Sequence, residues 1–474
     1  MLSLRVQTET ETQGRIGLKE DARAPLRVLY FAPRECWPTN TGAKLRNFHL
    51  VRELARAARV TYLGFADEAT APCRGLASER GLAGVCTEVT VERDSAYTIG
   101  KIARGALTST PLPVLNYSTE AMRRELARLL DEQDFDVVQI ESLSLASYLP
   151  VVRAARSRPA VVADWHNIDS EVMRRYSEHT TSLARRLYAR VTARRLERLE
   201  AWAMRELDAH IAVSRRDEVR MLEHAPAARV ITIENGVDVD YYSDEKIEQA
   251  YRDWVGRCPQ TDRSGNREVG NKITGNRVIG NRIIFVGSMD YHANVDAAVR
   301  FAREVWPAVH AENPYLVFTI VGRNPAPDVR ALAGLPGVEV TGTVSDVRPF
   351  YREAAASIVP LRIGGGSRLK ILESLAAGVP VISTELGAEG IDATPGRDIV
   401  VADSKDELAG ASVRLARDSA ERQSLIKHGR ALVRAEYDWS RKGAALLRFL
   451  ESVTARRSVA RTGAETYVSR RLIG

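Results

Sequence analysis

The sequence predicts an α/β protein made of two doubly wound parallel-sheet domains in tandem. Three observations lead there. At 474 residues the chain exceeds a single ordinary core. Short β-branched runs alternate with helical stretches, first from Leu26 and again from Arg282. A glycine-rich turn at Gly364, Gly365 and Gly366 opens a helix, where the strand ends of such a sheet place a ligand.

The first series begins with LRVLYFAP, a helix over about 44–56 and RVTYLGF. DVVQIES (136–142), AVVADW (160–165), AHIAVS (209–214) and RVITIEN (229–235) continue it. RIIFVGS, YLVFTIVG, VEVTG, ASIVPL, PVIST and DIVVAD form the second series, between Arg282 and Asp403. Between them lies SGNREVGNKITGNRVIGNRIIF, a five-residue repeat with glycines at 265, 270, 275 and 280. Its period is too short for a solenoid, so it reads as an exposed loop or a ragged edge extension. Residues 1–24 and 456–474 read as mobile tails.

The helix spanning about 182–207, SLARRLYARVTARRLERLEAWAMREL, carries seven arginines with Tyr188 and Trp202. Two readings stay open: a helix lying on an anionic membrane surface, or a solvated helix whose arginine stems cover its own core face. No apolar run reaches the eighteen or so residues of a membrane span, so contact with a membrane would be peripheral.

A net charge of +7, from 68 basic and 61 acidic residues, does not in itself imply nucleic acid, and aromatics do not interleave the basic runs. Cys36, Cys73, Cys86 and Cys258 fit neither a zinc site nor a disulfide framework. The opening residues lack the charged start and apolar core of a secretory signal. A reducing cytoplasm is expected, with any membrane contact at the cytoplasmic face of the inner membrane.

The turn at 364–366 removes side chains so that backbone N–H groups can approach an anion. Ser367 is the expected N-cap, Ile371, Leu372, Leu375 and Ala376 the face toward a sheet, and Gly378 with Pro380 the stop. Arg368 and Lys370 in the first turn are ill placed for the helix dipole, which argues for an anionic guest. Arginine offers a planar fork for phosphate, and Glu373 one turn later suits a pair of sugar hydroxyls.

These residues, with several other motifs in order, resemble retaining glycosyltransferases of family 4, whose GT-B fold is two Rossmann-like domains facing a cleft. PTNTGAKLRN resembles the family's first glycine loop, DWHNIDSE its histidine segment, and AVSRRDEV with IENGVDVDYY its linker-proximal signature. FVGSMDYHANVDA, VTGTVSDVRPFY, GGGSRLKILESLAAGVPVIST and YDWSR resemble the subgroup found with bacterial exopolysaccharide systems. The resemblance implies an acceptor domain over 25–228, completed by a C-terminal helix over 438–455, and a donor domain over 229–437 interrupted by the repeat at 262–282. It implies that Glu373 holds the donor's ribose and that Gly364, Gly365 and Gly366 face its sugar or diphosphate. Gly42 would face the phosphates from the other domain, His166 would contact the donor sugar, and Val344 would touch the base. The donor is a nucleoside diphosphate sugar, the acceptor a glycan or a lipid-linked glycan, and no metal or other cofactor is expected.

Two departures stand out. The family's first paired glutamate would fall at Gly365, and the Arg and Lys that contact the diphosphate would fall at Ser288 and Asn294. Arg368 and Lys370 are expected to replace that pair as catalytic cations beside His166. The alternative is a nucleotide-sugar-binding scaffold without turnover. Asp238 and Asp240 have a metal-binding form, yet two aspartates in a linker turn read as solvated.

Overall fold

The computed structural model describes residues 24–472 apart from 40, 67–80, 94–97, 99, 102–103, 106–107, 181, 258–272, 275–276, 279 and 364–367. Two parallel sheets organise the chain. The first contains β1 (Arg27–Ala32), β2 (Arg59–Phe65), β3 (Thr87–Val91), β4 (Val137–Ile140), β5 (Ala160–Trp165), β6 (Ala209–Ala212) and β7 (Val230–Thr232), in the order β3-β2-β1-β4-β5-β6-β7. A short antiparallel pair, β8 (Ile273–Thr274) with β9 (Arg277–Val278), lies within the repeat, most of which falls outside the described residues. The second sheet contains β10 (Arg282–Val286), β11 (Val317–Val321), β12 (Val338–Gly342), β13 (Ala354–Val359), β14 (Val381–Ser383) and β15 (Val400–Val401), in the order β12-β11-β10-β13-β14-β15.

The runs read from sequence form these strands because they are apolar on both faces, as helices packed on either side of a parallel sheet require. Along β1, Leu29 and Phe31 join one buried cluster, while Val28 and Tyr30 join another across the sheet. β3 escaped the sequence reading. TEVTV is an edge strand with mostly exposed side chains, so it lacks the apolar run that marks its neighbours.

The domain break expected before residue 229 falls later, because β7 pairs with β6 and closes the first sheet. The chain then crosses to the second lobe beside its own return. Val237 bridges to Asp438, and its N–H donates to the Tyr437 carbonyl at 2.7 Å. A long helix, Trp439–Leu472, then packs Trp439, Leu446, Leu450 and Val453 into the first lobe's core. Residues 456–472, read from sequence as part of a tail, continue this helix. The expected N-terminal tail lies outside the described residues, save for Ala24.

In each sheet the strand order reverses direction at one point, between β1 and β4 in the first and between β10 and β13 in the second. Loops leaving two such neighbours diverge to opposite faces and open a crevice at the strand ends. Helix Gly42–Leu54 follows β1 and Glu141 follows β4; Ser288 follows β10 and helix Leu369–Ala376 follows β13. Both crevices therefore carry residues singled out in the sequence.

Candidate active site

In the first lobe, Glu141 ends β4 fully buried. Its carboxylate meets His166 Nε2 at 3.1 Å and accepts from Gln139 Nε2 at 2.7 Å. Asn47, with its amide nitrogen turned inward, donates to Glu141 at 2.7 Å. Beside this group, Arg46 grips Asp164 in a fully buried two-pronged pair, with bonds of 2.9 and 3.1 Å. The same guanidinium donates to the Ile233 carbonyl at 2.8 Å, tying the first helix to the chain leaving the lobe. Burial pushes the Asp164 carboxyl up to about 6 against the pull of Arg46. Burial also opposes charge on His166, but the hydrogen bond to Glu141 and the charge of Asp164 outweigh it and raise its pKa. His166 is thus biased toward imidazolium, with its side chain still 23% exposed.

Gly42 is the first residue of its helix, exposed, with Thr41 capping the Lys44 N–H and no acidic residue in the first turn. It stands at the end of β1, in the same crevice as Glu141.

In the second lobe, Lys370 and Glu373 lie on the face of helix 369–376 opposite the buried Ile371, Leu372 and Leu375. Lys370 Nζ donates to Asn294 Oδ1 at 2.6 Å and sits 4.6 Å from the centre of the Phe285 ring. Asn294 in turn donates to the Ser288 carbonyl at 2.9 Å, and Arg323 Nε donates to the Ser288 hydroxyl at 2.9 Å. Each of the two positions that lack the expected charge is thus in contact with a cation supplied from elsewhere. Close backbone approach makes this possible. A Cβ on Gly322 would lie 1.6 Å from the Gly287 carbonyl oxygen, and one on Gly287 would lie 3.3 Å from Lys370 Nζ.

Burial pulls the Lys370 ammonium down to about 7, helped by Arg368 and resisted by Glu373. Burial pushes Glu373 up to about 7, resisted by hydrogen bonds from Tyr242 and Tyr351 and by Lys370. Two groups of opposite sign therefore share one titration range.

Arg368 takes a different direction from Lys370. It occupies the N-cap position expected of Ser367 and donates to the Leu386 carbonyl at 2.9 Å. It lines a cleft of about 300 Å³ between the lobes, facing Asn167, Glu171 and Arg175 on one side and Glu389 on the other. An ion pair crosses this cleft: Arg216 of the first lobe reaches Glu389 of the second, and it also meets Glu171 of its own lobe at 3.4 Å. The two cations expected to act side by side therefore turn to different partners, with Arg368 still close enough to depress Lys370. Arg368 joins the segment after His166, whereas Lys370 joins Asn294 and Glu373 meets Tyr242 and Tyr351.

Val344, beyond β12, is half-buried against the second core. Gly364, Gly365, Gly366 and Ser367 lie outside the described residues. Asp238, the metal-like decoy, accepts from Arg52 at 3.3 Å and from the Tyr241 N–H at 2.9 Å. Sequence reasoning missed Glu141, the Arg46–Asp164 pair and Arg323. A polar residue closing an apolar strand, as in VVQIE, VVADW and FTIVGR, is the available signal.

A family model described as Glycosyltransferase Family 4 matches residues 41–241, and one described as Glycosyl transferases group 1 matches residues 280–418. Among curated proteins, an uncharacterized 44.6 kDa protein in the cps region of Klebsiella pneumoniae is 23% identical over 163 residues. That match spans 33% of this chain and 42% of the relative's own length. Among solved structures, HepE of Anabaena in complex with UDP superposes with a TM-score of 0.59 at 15% identity, over 90% of this chain and 100% of that one. Sucrose-phosphate synthase of Thermosynechococcus elongatus superposes with a TM-score of 0.62 at 16% identity, over 91% and 100%. Each lobe carries a glycosyltransferase model of its own, and the protein is a glycosyltransferase with the GT-B fold.

Proposed function

We propose that the protein transfers a hexosyl unit from a nucleoside diphosphate sugar to an acceptor hydroxyl with retention at the anomeric carbon, in synthesis of a bacterial exopolysaccharide or other surface glycan. The observation that carries this is the seating of Lys370 on Asn294 and of Arg323 on Ser288 at the ends of β10 and β11. The UDP-bound neighbour and the cps-region relative support the donor class and the glycan setting.

In this reading the ribose hydroxyls donate to Glu373, and the diphosphate lies across Lys370 and Arg323, with Arg368 reaching it from the cleft. The bond between the anomeric carbon and the phosphate oxygen breaks as the acceptor oxygen bonds on the same face. The acceptor proton passes to a donor phosphate oxygen. Fixed cations stabilise the charge gathering on the leaving diphosphate, and lobe closure excludes water that would hydrolyse the donor. His166, held by Glu141, contacts the donor sugar, and the helix that begins at Gly42 directs its N–H groups toward the phosphates. The reading gives no role to a metal.

A scaffold that binds nucleotide sugar without turnover is the competing reading, and Gly365 in place of the first glutamate favours it. Calorimetric titration with UDP, GDP, ADP and dTDP, repeated on Lys370→Met and Arg368→Ala, tests both. Micromolar binding of one nucleotide, weakened in both variants, supports the site; its matching sugar donor is then assayed for turnover. Absence of turnover despite tight binding favours the scaffold.

A further inference from the structure

Helix Leu183–Glu206 packs one face, Ala189, Thr192, Ala193, Leu196 and Ala203, into the first lobe. Its opposite face is unusual for a solvated helix. Leu183, Leu187 and Val191 follow one another at helical spacing and are exposed, Leu183 by 78% and Leu187 by 65%. The same face continues as Arg190, Arg194 and Arg198, all exposed, and no ion pair engages them among the described residues. The preceding helix, Asp169–His179, adds exposed Val172 and Tyr176, and Val172 also lines the cleft between the lobes.

We infer that this face is a docking surface for an anionic phospholipid bilayer, with the leucine end entering the headgroup region and the three arginines resting on lipid phosphates. The combination decides the occupant. Apolar side chains exposed on the first turns reward insertion, and arginines on the same face reward negative charge. A protein partner would need matching carboxylates and an apolar socket, whereas a fluid interface supplies both kinds of contact without a preformed shape. Val172 at the cleft mouth places the surface next to the cleft. The inference does not depend on the donor or on turnover, since binding to lipid is read directly.

Vesicle flotation of the full chain tests it, using pure phosphatidylcholine against equimolar phosphatidylcholine and phosphatidylglycerol. The parent should float only with the anionic vesicles. Arg190→Ala/Arg194→Ala/Arg198→Ala should weaken binding about a hundredfold, because each arginine near the surface adds its own attraction to the anionic headgroups. Leu183→Ser/Leu187→Ser should weaken it at least about tenfold. Thermal midpoints equal to the parent's report intact folding of these surface variants. A parent that floats with neither vesicle, or equally with both, overturns the inference, as do variants that float like the parent. A parent dimer that the leucine variant dissociates also overturns it, assigning the face to a second copy of the chain.

Discussion

Binding of a nucleoside diphosphate sugar should move protons in opposite directions on either side of pH 7. Lys370 and Glu373 each have a pKa near 7 in the free protein, the first depressed and the second raised by burial. In the proposed binding mode the ammonium meets the diphosphate and the carboxylate the ribose, so binding favours both charged forms. Above pH 7 Lys370 must take up a proton; below pH 7 Glu373 must release one. At pH 8 each group is about 10% protonated, giving uptake of about 0.9 by Lys370, release of about 0.1 by Glu373, and net uptake of about 0.8. At pH 6 the arithmetic reverses to a net release of about 0.8, and at pH 7 the two nearly cancel. The doubly charged pair is most populated at pH 7, so affinity should peak there and fall about threefold at pH 6 and at pH 8. Calorimetry in two buffers of different ionisation enthalpy measures the proton count. UDP-glucose is a suitable probe because its phosphates do not titrate in this range. Lys370→Met should leave only release and Glu373→Gln only uptake. Proton exchange of one sign at both pH values would falsify this account of the site.

Glu141→Gln removes the carboxylate that favours the charged form of His166, so the alkaline limb of the pH–rate profile should move to lower pH and turnover fall by about a hundredfold. Arg46→Met leaves Asp164 buried without its partner, which should cost about 3–5 kcal/mol in urea unfolding; Asp164→Asn in the same chain should recover part of it. Gly322→Ala places a methyl 1.6 Å from the Gly287 carbonyl and should destabilise the second lobe by about 3 kcal/mol or more, read as a lowered unfolding midpoint.

Much of the architecture was legible because a parallel sheet writes its strands as continuous apolar runs. RVTYLGF, AVVADW and VEVTG match their strands residue for residue. The edge strand Thr87–Val91 was not legible, since its exposed threonines and glutamate follow no buried pattern. Within the site, Lys370 and Glu373 could be read from one helical turn. Their partners could not: Asn294 is 76 residues from Lys370, and only the strand order brings it within 2.6 Å. Arg368 shows the limit of spacing as a guide. Two residues from Lys370 in the chain, it faces a different space, because it stands at the helix start, where side-chain directions leave the helical pattern. The Glu141–His166 and Arg46–Asp164 pairs join residues 25 and 118 positions apart, beyond what local periodicity encodes.

The return of the C-terminal helix sets an order on synthesis. Trp439, Leu446, Leu450 and Val453 fill one face of the first lobe, yet they leave the ribosome after all strands of the second lobe. The second lobe can therefore complete its sheet during translation while the first waits with part of its core uncovered. A nascent chain ending just before Trp439 would hold a finished second lobe on an unfinished first lobe. Chaperones that recognise exposed apolar surface would have their longest opportunity on this protein at that stage.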